Sequence, residues 1–202
     1  MSSALALLTA ATLTAGGPQS AGTWISDRDY PDRAAFRGHK GAIAFTLLIS
    51  PEGRALKCQV TRSSGYPELD DRACEALMKR AKFDPSFDRS GAKTHQLYRG
   101  SLSFAVAGER NTRLTYAPDV EIEVQRLPNN AKESIVEVVV QTDESGRFVD
   151  CASADAKIKP SQLVTIGCNQ VKSIEATIVS DFVGRQISVV QRLKVRFNVM
   201  PQ

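Results

Sequence analysis

The chain of 202 residues has little of what marks the larger functional classes. Its longest apolar run, Ala4 to Ala15, has 12 residues, against the ~20 that a membrane-spanning helix needs, so no stable membrane span is expected. The formal net charge is only +4. Lys and Arg alternate with Asp and Glu rather than forming a stripe, which argues against a nucleic-acid partner. There are two histidines, His39 and His95, and neither lies near a cysteine pair. None of the four cysteines forms a C-x-x-C, which excludes the usual zinc and thioredoxin-like spacings. A G-x-S-x-G elbow and a glycine-rich phosphate loop are also absent. Ser63, Ser64 and Asp70 therefore do not make a nucleophilic triad with a histidine, and no phosphate site is expected. The carboxylates Asp70 and Asp71 suit a helix start, and Glu121 and Glu123 a solvated strand or linker. A non-enzymatic protein with no cofactor and no metal is the expectation.

What is present is an ordinary globular composition, 42% hydrophobic and 24% charged. Uncharged Ala4–Ala15, followed by Gly16, Gly17 and Pro18, reads as the apolar core of a secretory signal. A frayed apolar terminus is the alternative. The best small-x-small cleavage candidate is Thr14-Ala15-Gly16, though no basic residue precedes the run. Export would place the protein in the periplasm, where an even number of cysteines favours disulfides. Four cysteines still allow three connectivities.

An internal repeat narrows the choice. Gly53 precedes Cys58 as Gly146 precedes Cys151, Leu69 precedes Cys74 as Leu163 precedes Cys168, and Gly91 precedes Phe104 as Gly184 precedes Phe197. Each copy reads as a hairpin, a helix and a final strand. In the first, Ile43, Phe45 and Leu47 alternate before the turn Ser50–Gly53, and Leu56, Cys58 and Val60 alternate after it. In the second, Val136, Val138 and Val140 precede the turn Asp143–Gly146, with Val149 and Cys151 beyond. Pro67 opens a helix with the stripe Leu69, Ala73, Leu77 and Ala81. Pro160 opens the other, with Leu163, Gly167 and Val171. Final strands are expected over 97–106 and 188–199.

Cys58 and Cys151 fall on the covered face of their strands, and Cys74 and Cys168 on the flank of the covering helix. That arrangement predicts the disulfides Cys58–Cys74 and Cys151–Cys168, each contributing ~3 kcal/mol in the chain-entropy model. The expected organisation is a signal and short linker over 1–22, units over 23–106 and 120–202, and a linker over 107–119. Formal charge divides as +4 over 23–106 and zero over 107–202.

The first unit resembles the C-terminal domain of TonB-type energy transducers. The residues that carry this are Tyr30-Pro31, Gly38, Gly41, the Gly53 turn, Val60-Thr61-Arg62-Ser63-Ser64-Gly65, Leu69-Asp70, the helix to Lys82, Phe83-Asp84-Pro85, Gly91 and a strand ending at Phe104. Residues 28–106 are covered. The second unit looks like a diverged copy that lacks the Ser-Ser-Gly and Phe-x-Pro segments.

The resemblance implies an α+β fold of two tandem units, each a three-stranded antiparallel sheet with helices packed on one face. It also implies binding of an extended peptide, such as the N-terminal segment of an outer-membrane receptor, by strand addition. Carried over by position, the binding edge is Gln96, Leu97, Tyr98, Arg99, Gly100, Ser101, Leu102, Ser103 and Phe104. Only about fifteen residues, ~50 Å fully extended, separate the apolar run from Tyr30, so a freely soluble periplasmic binder fits better than a membrane-anchored transducer. Pairing of the two final strands, within one chain or in a homo-oligomer, is the alternative use of the same edges. Peptide mapping under non-reducing conditions is expected to recover Cys58 linked to Cys74 and Cys151 linked to Cys168.

Overall fold

The computed structural model describes residues 12–105, 117–155, 161–174 and 176–200. It is a mixed α+β structure built on one twisted sheet. The elements in chain order are α1 (Asp32–Phe36), β1 (Gly41–Ile49), β2 (Ala55–Arg62), α2 (Pro67–Arg80), β3 (Lys93–Phe104), β4 (Val120–Val124), β5 (Glu133–Thr142), β6 (Phe148–Ser153), α3 (Gln162–Lys172) and β7 (Val189–Val199). The strand order is β2-β1-β3-β7-β5-β6, with β4 lying beside part of β7.

Alternation decides the first core. Ile43, Phe45, Leu47 and Ile49 of β1 point to one face, where Leu69, Ala73 and Leu77 of α2 cover them. Ala34 of α1 is fully buried on the same side. α2 begins with Pro67 at its first turn, as expected where a missing N–H costs little. Before it, Ser64 Oγ lies 2.7 Å from Asp70 Oδ1 and accepts the Tyr66 N–H, so the Ser63–Gly65 segment is a hydroxyl-bonded turn.

The second core has the same element order. Val138 and Val140 of β5, Leu193, Val195 and Phe197 of β7, and Val164 and Val171 of α3 pack together. Pro160, the expected opening residue, lies outside the described residues; Ser161 caps α3, its hydroxyl accepting the Val164 N–H. Gly167 sits against Val195 with its absent Cβ 3.4 Å from the valine methyl.

Both hairpin turns are latched to the chain that follows their helix. Gly53 takes φ +81° and its carbonyl accepts the Phe83 N–H at 2.9 Å. Gly146 takes φ +78° and its carbonyl accepts the Ala176 N–H at 3.1 Å. A Cβ at Gly53 would stand 2.1 Å from the Phe83 carbonyl oxygen, so the latch and the positive φ both demand glycine. The disulfides join Cys58 to Cys74 and Cys151 to Cys168, each with Cα atoms 5.6 Å apart, tying β2 to α2 and β6 to α3.

The final strands pair within the chain, the alternative use of their edges: β3 and β7 run in parallel over His95–Leu97 and Val189–Gln191 and make the sheet continuous. The helices α2 and α3 lie on opposite faces of it. Ile49 lies opposite Gln96, and Gln96 opposite Val190, so these three point to the α2 side. Leu48, Leu97 and Gln191 point to the other side, with Leu193 and α3. β3 also begins at Lys93 rather than at 97, because the Asp88–Gly91 turn folds Ser86–Phe87 back against Lys93–Thr94.

Asp29, 5% exposed, anchors the chain before α1 to α2. Burial opposes its charge, but the Ser26 N–H, the Arg80 guanidinium and the Ser26 hydroxyl win, holding its carboxyl below the ordinary value of 3.8. A depressed carboxyl stabilises the fold fully above pH 3.8 and loses that contribution as pH falls through the lowered value. Melting temperature between pH 6 and pH 2 is expected to fall in this acid limb, and Asp29→Asn is expected to start lower at pH 6 and fall less.

Candidate functional site

The expected binding edge is the side of β3 turned away from β1. Toward β1 the strand is paired without interruption, from Ile49 opposite Gln96 to Gly41 opposite Phe104. On the other side Ser86–Phe87 takes Lys93–Thr94, and β7 takes His95–Leu97. Gln96 and Leu97 therefore lie against the second half of the chain. β7 then bends away and pairs in parallel with β4, Val195–Val199 against Val120–Val124. Past Leu97, no described strand continues the sheet beside β3.

Asp119 bridges the fork between β3 and β7. Its N–H donates to the Lys194 carbonyl at 2.8 Å and its Oδ2 accepts the Lys194 N–H at 2.7 Å, while its Oδ1 pairs with the Arg99 guanidinium. A cavity of about 450 Å³ lies in the fork, lined by Gly17, Pro18, Tyr98, Arg99, Arg192 and Lys194 among others. A second, of about 500 Å³, lies on the opposite face between Leu48, Leu97, Phe148 and Ile178. Arg99 borders both.

Side chains alternate along β3. Gln96 is buried, 2% exposed, and its Oε1 accepts the Ser86 hydroxyl at 2.7 Å. Tyr98 packs among Phe83, Trp24 and Phe45, ring centroids 4.8, 6.0 and 6.4 Å away, and burial raises the pKa of its phenol. Leu102 and Phe104 continue this buried face. Arg99, Ser101 and Ser103 point to the other. Burial lowers the pKa of His95, against the pull of Glu52 and Asp181. His39 is far from this edge in role: its Nδ1 bonds Glu68 at 2.8 Å and its ring stacks on Tyr66 at 4.0 Å. Among the described residues, no group of three His, Cys, Asp or Glu side chains is placed to hold a metal, and no helix is long and apolar enough to cross a membrane.

Sequence reasoning missed Asp119, which fell in the expected linker, and the N-terminal strap from Leu13 to Gln19. The strap lies within the expected signal and linker region, yet Leu13 and Ala15 are 1% and 4% exposed. Nothing in the sequence marks this segment as part of the fold, since Ala4–Ala15 with Gly16-Gly17-Pro18 reads there as a signal.

The comparisons bear on the first half. Residues 26–106 match the family described as Gram-negative bacterial TonB protein, C-terminal. No curated protein and no solved structure matches the chain. The match runs from just before α1 to the end of β3 and supports the TonB C-terminal family for this segment, a non-enzymatic energy-transducer family whose members interact with proteins such as outer-membrane receptors.

Gly100 marks the place on this edge where the backbone tolerates least. A Cβ there would lie 2.6 Å from Phe45 Cζ and 2.9 Å from Tyr98 Cε1. Gly100→Val is expected to cost about 1–3 kcal/mol by overpacking, read as a lower midpoint in urea with an unchanged slope.

Proposed function

Taking residues 26–106 as a TonB-type C-terminal domain, we propose that the chain is a periplasmic adaptor that binds an extended peptide by strand addition along Tyr98 to Phe104. The peptide would be the N-terminal segment of an outer-membrane receptor, and the binding would serve transport across that membrane. The observation that carries this is the departure of β7 from β3 after Leu97. Among the described residues, no further strand then lies beside β3 at the positions where the family resemblance puts the peptide. Strand addition needs no catalytic group: main-chain N–H and C=O supply affinity and alternate side chains supply selection.

Residues 120–202 are read as a diverged second copy. Its hairpin, disulfide, helix and final strand follow the first half in order, and the Gly146 latch to Ala176 repeats that of Gly53 to Phe83. Two disulfides support an oxidising compartment. A second reading, self-association through sheet edges, is favoured by the two outermost strands, β2 and β6.

Titrating receptor N-terminal peptides into ¹⁵N-labelled protein is expected to shift the amides of Tyr98 to Phe104, while those of β2 and β6 stay still. Shifts confined to other strands, or none at saturating peptide, would sink the proposal. A mass that rises with concentration, with new amide protection in β2 or β6, would instead establish self-association.

A further inference from the structure

The second half leaves the face of β5 and β7 away from α3 without a helix. Val139 and Val190 lie on that face, yet they are only 1% and 0% exposed. Leu13 and Ala15 cover them, with Ala152 and Ala154 alongside. The segment that carries Leu13 and Ala15 is read through its main chain at nearly every residue. Thr14 and Phe87 exchange both backbone hydrogen bonds, at 2.9 and 3.0 Å. The Gly16 N–H donates to Ser86 Oγ at 2.9 Å, and Gln96 Nε2 donates to the Gly16 carbonyl at 3.1 Å. Arg192 Nη2 donates to the Ala15 carbonyl at 2.8 Å, and the Asp84 N–H to the Gly17 carbonyl at 2.9 Å.

Ser86 and Gln96 are each 2% exposed, and two buried polar side chains aimed at one glycine would be costly without it. The site also selects. A Cβ at Gly16 would stand 1.8 Å from the Asp84 carbonyl oxygen, so no larger residue fits. Leu13 fills an apolar pocket, and Ala15 a small one beside Val139 and Val190. Main-chain pairing, alternate pockets and a position restricted to glycine are the anatomy of a peptide receptor.

We infer that Ser86, Phe87, Gln96, Val139, Val190 and Arg192 form a peptide-binding site, filled in cis by the chain's own Leu13–Gly17. Its ligand class is an extended segment of pattern apolar-x-Ala-Gly. This site is separate from the edge Tyr98–Phe104 and does not rest on the transport reading. It draws on both halves of the chain, so the bound segment also fastens β3 to β7. The short connection to the domain raises the local concentration of the segment to the order of millimolar. Modest intrinsic affinity therefore keeps the site full, and a cut in the connection converts the segment into an ordinary ligand.

The test uses the full chain with a protease site placed at Gly22, where a side chain would meet nothing within 4 Å. The protein is folded with its disulfides formed, then cut and passed through gel filtration. A fluorescent peptide spanning Thr12–Gln19 is added, and anisotropy and the near-ultraviolet spectrum are followed. Saturable uptake by the cut protein but not the uncut is expected, with binding at least ~10-fold weaker for a peptide carrying Gly16→Val. Retention of the cut segment through filtration, or recovery of a lost spectrum on adding peptide, also supports the site. The inference is overturned if the segment leaves and the protein, whether still folded or not, neither takes up peptide nor regains its spectrum. Equal binding of the Gly16→Val peptide overturns it too.

Discussion

Three residue pairs, His95 to Leu97 against Val189 to Gln191, join the two halves into one sheet, and the layout of everything else depends on them. The strands run parallel, so opposed residues share a face. Gln96 and Val190 point to the side that α2 covers in the first half, and Leu97 and Gln191 to the side that α3 covers in the second. Each half thus has one face under its own helix and one face bare. Leu13 and Ala15 cover the bare face of the second half, and residues 176–180 border a cavity with Leu48 and Leu97 on that of the first. Three pairs of parallel ladder are a slight bond by themselves. The strap, the Arg89–Asp150 ion pair at 2.6 Å and the Arg99–Asp119 pair add further ties across the same seam.

The same seam decides how much of β3 has a described neighbour on its second side. A parallel partner that left β3 only at its end would have covered the whole edge. Instead β7 exchanges β3 for β4 after a few residues, and Asp119 bridges the fork, bonding the Lys194 backbone and pairing with Arg99. Recognition through main-chain groups runs through both proposed sites. At one, the sheet edge supplies it; at the other, Ser86, Gln96 and Arg192 supply side-chain donors and acceptors to an extended segment that one strand alone would not hold.

Much of the local structure was legible in the residues. Alternation located β1, β2 and β5, the four-residue stripe located α2, and the positive-φ glycines located the turns at Gly53 and Gly146, because each depends on neighbours a few positions away. The cysteine pairs were legible for the same reason: a strand face and the helix that follows it are forced together by a short loop. The start of β3 was not, since it is lengthened by a fold-back at Ser86–Phe87 that a polar stretch does not announce.

The residues by themselves determined the two hairpins, the helices α2 and α3 and the disulfide partners, all products of contacts short in sequence. Only the tertiary structure decided that the last strands lie side by side, that the helices take opposite faces, and that Leu13 to Gly17 belong to the core. Those depend on pairings far apart in the chain, such as Gln96 with Gly16, 80 positions away, and Arg192 with Ala15, 177 positions away. No period or spacing encodes them. They follow from which bare apolar face remains once each half has folded.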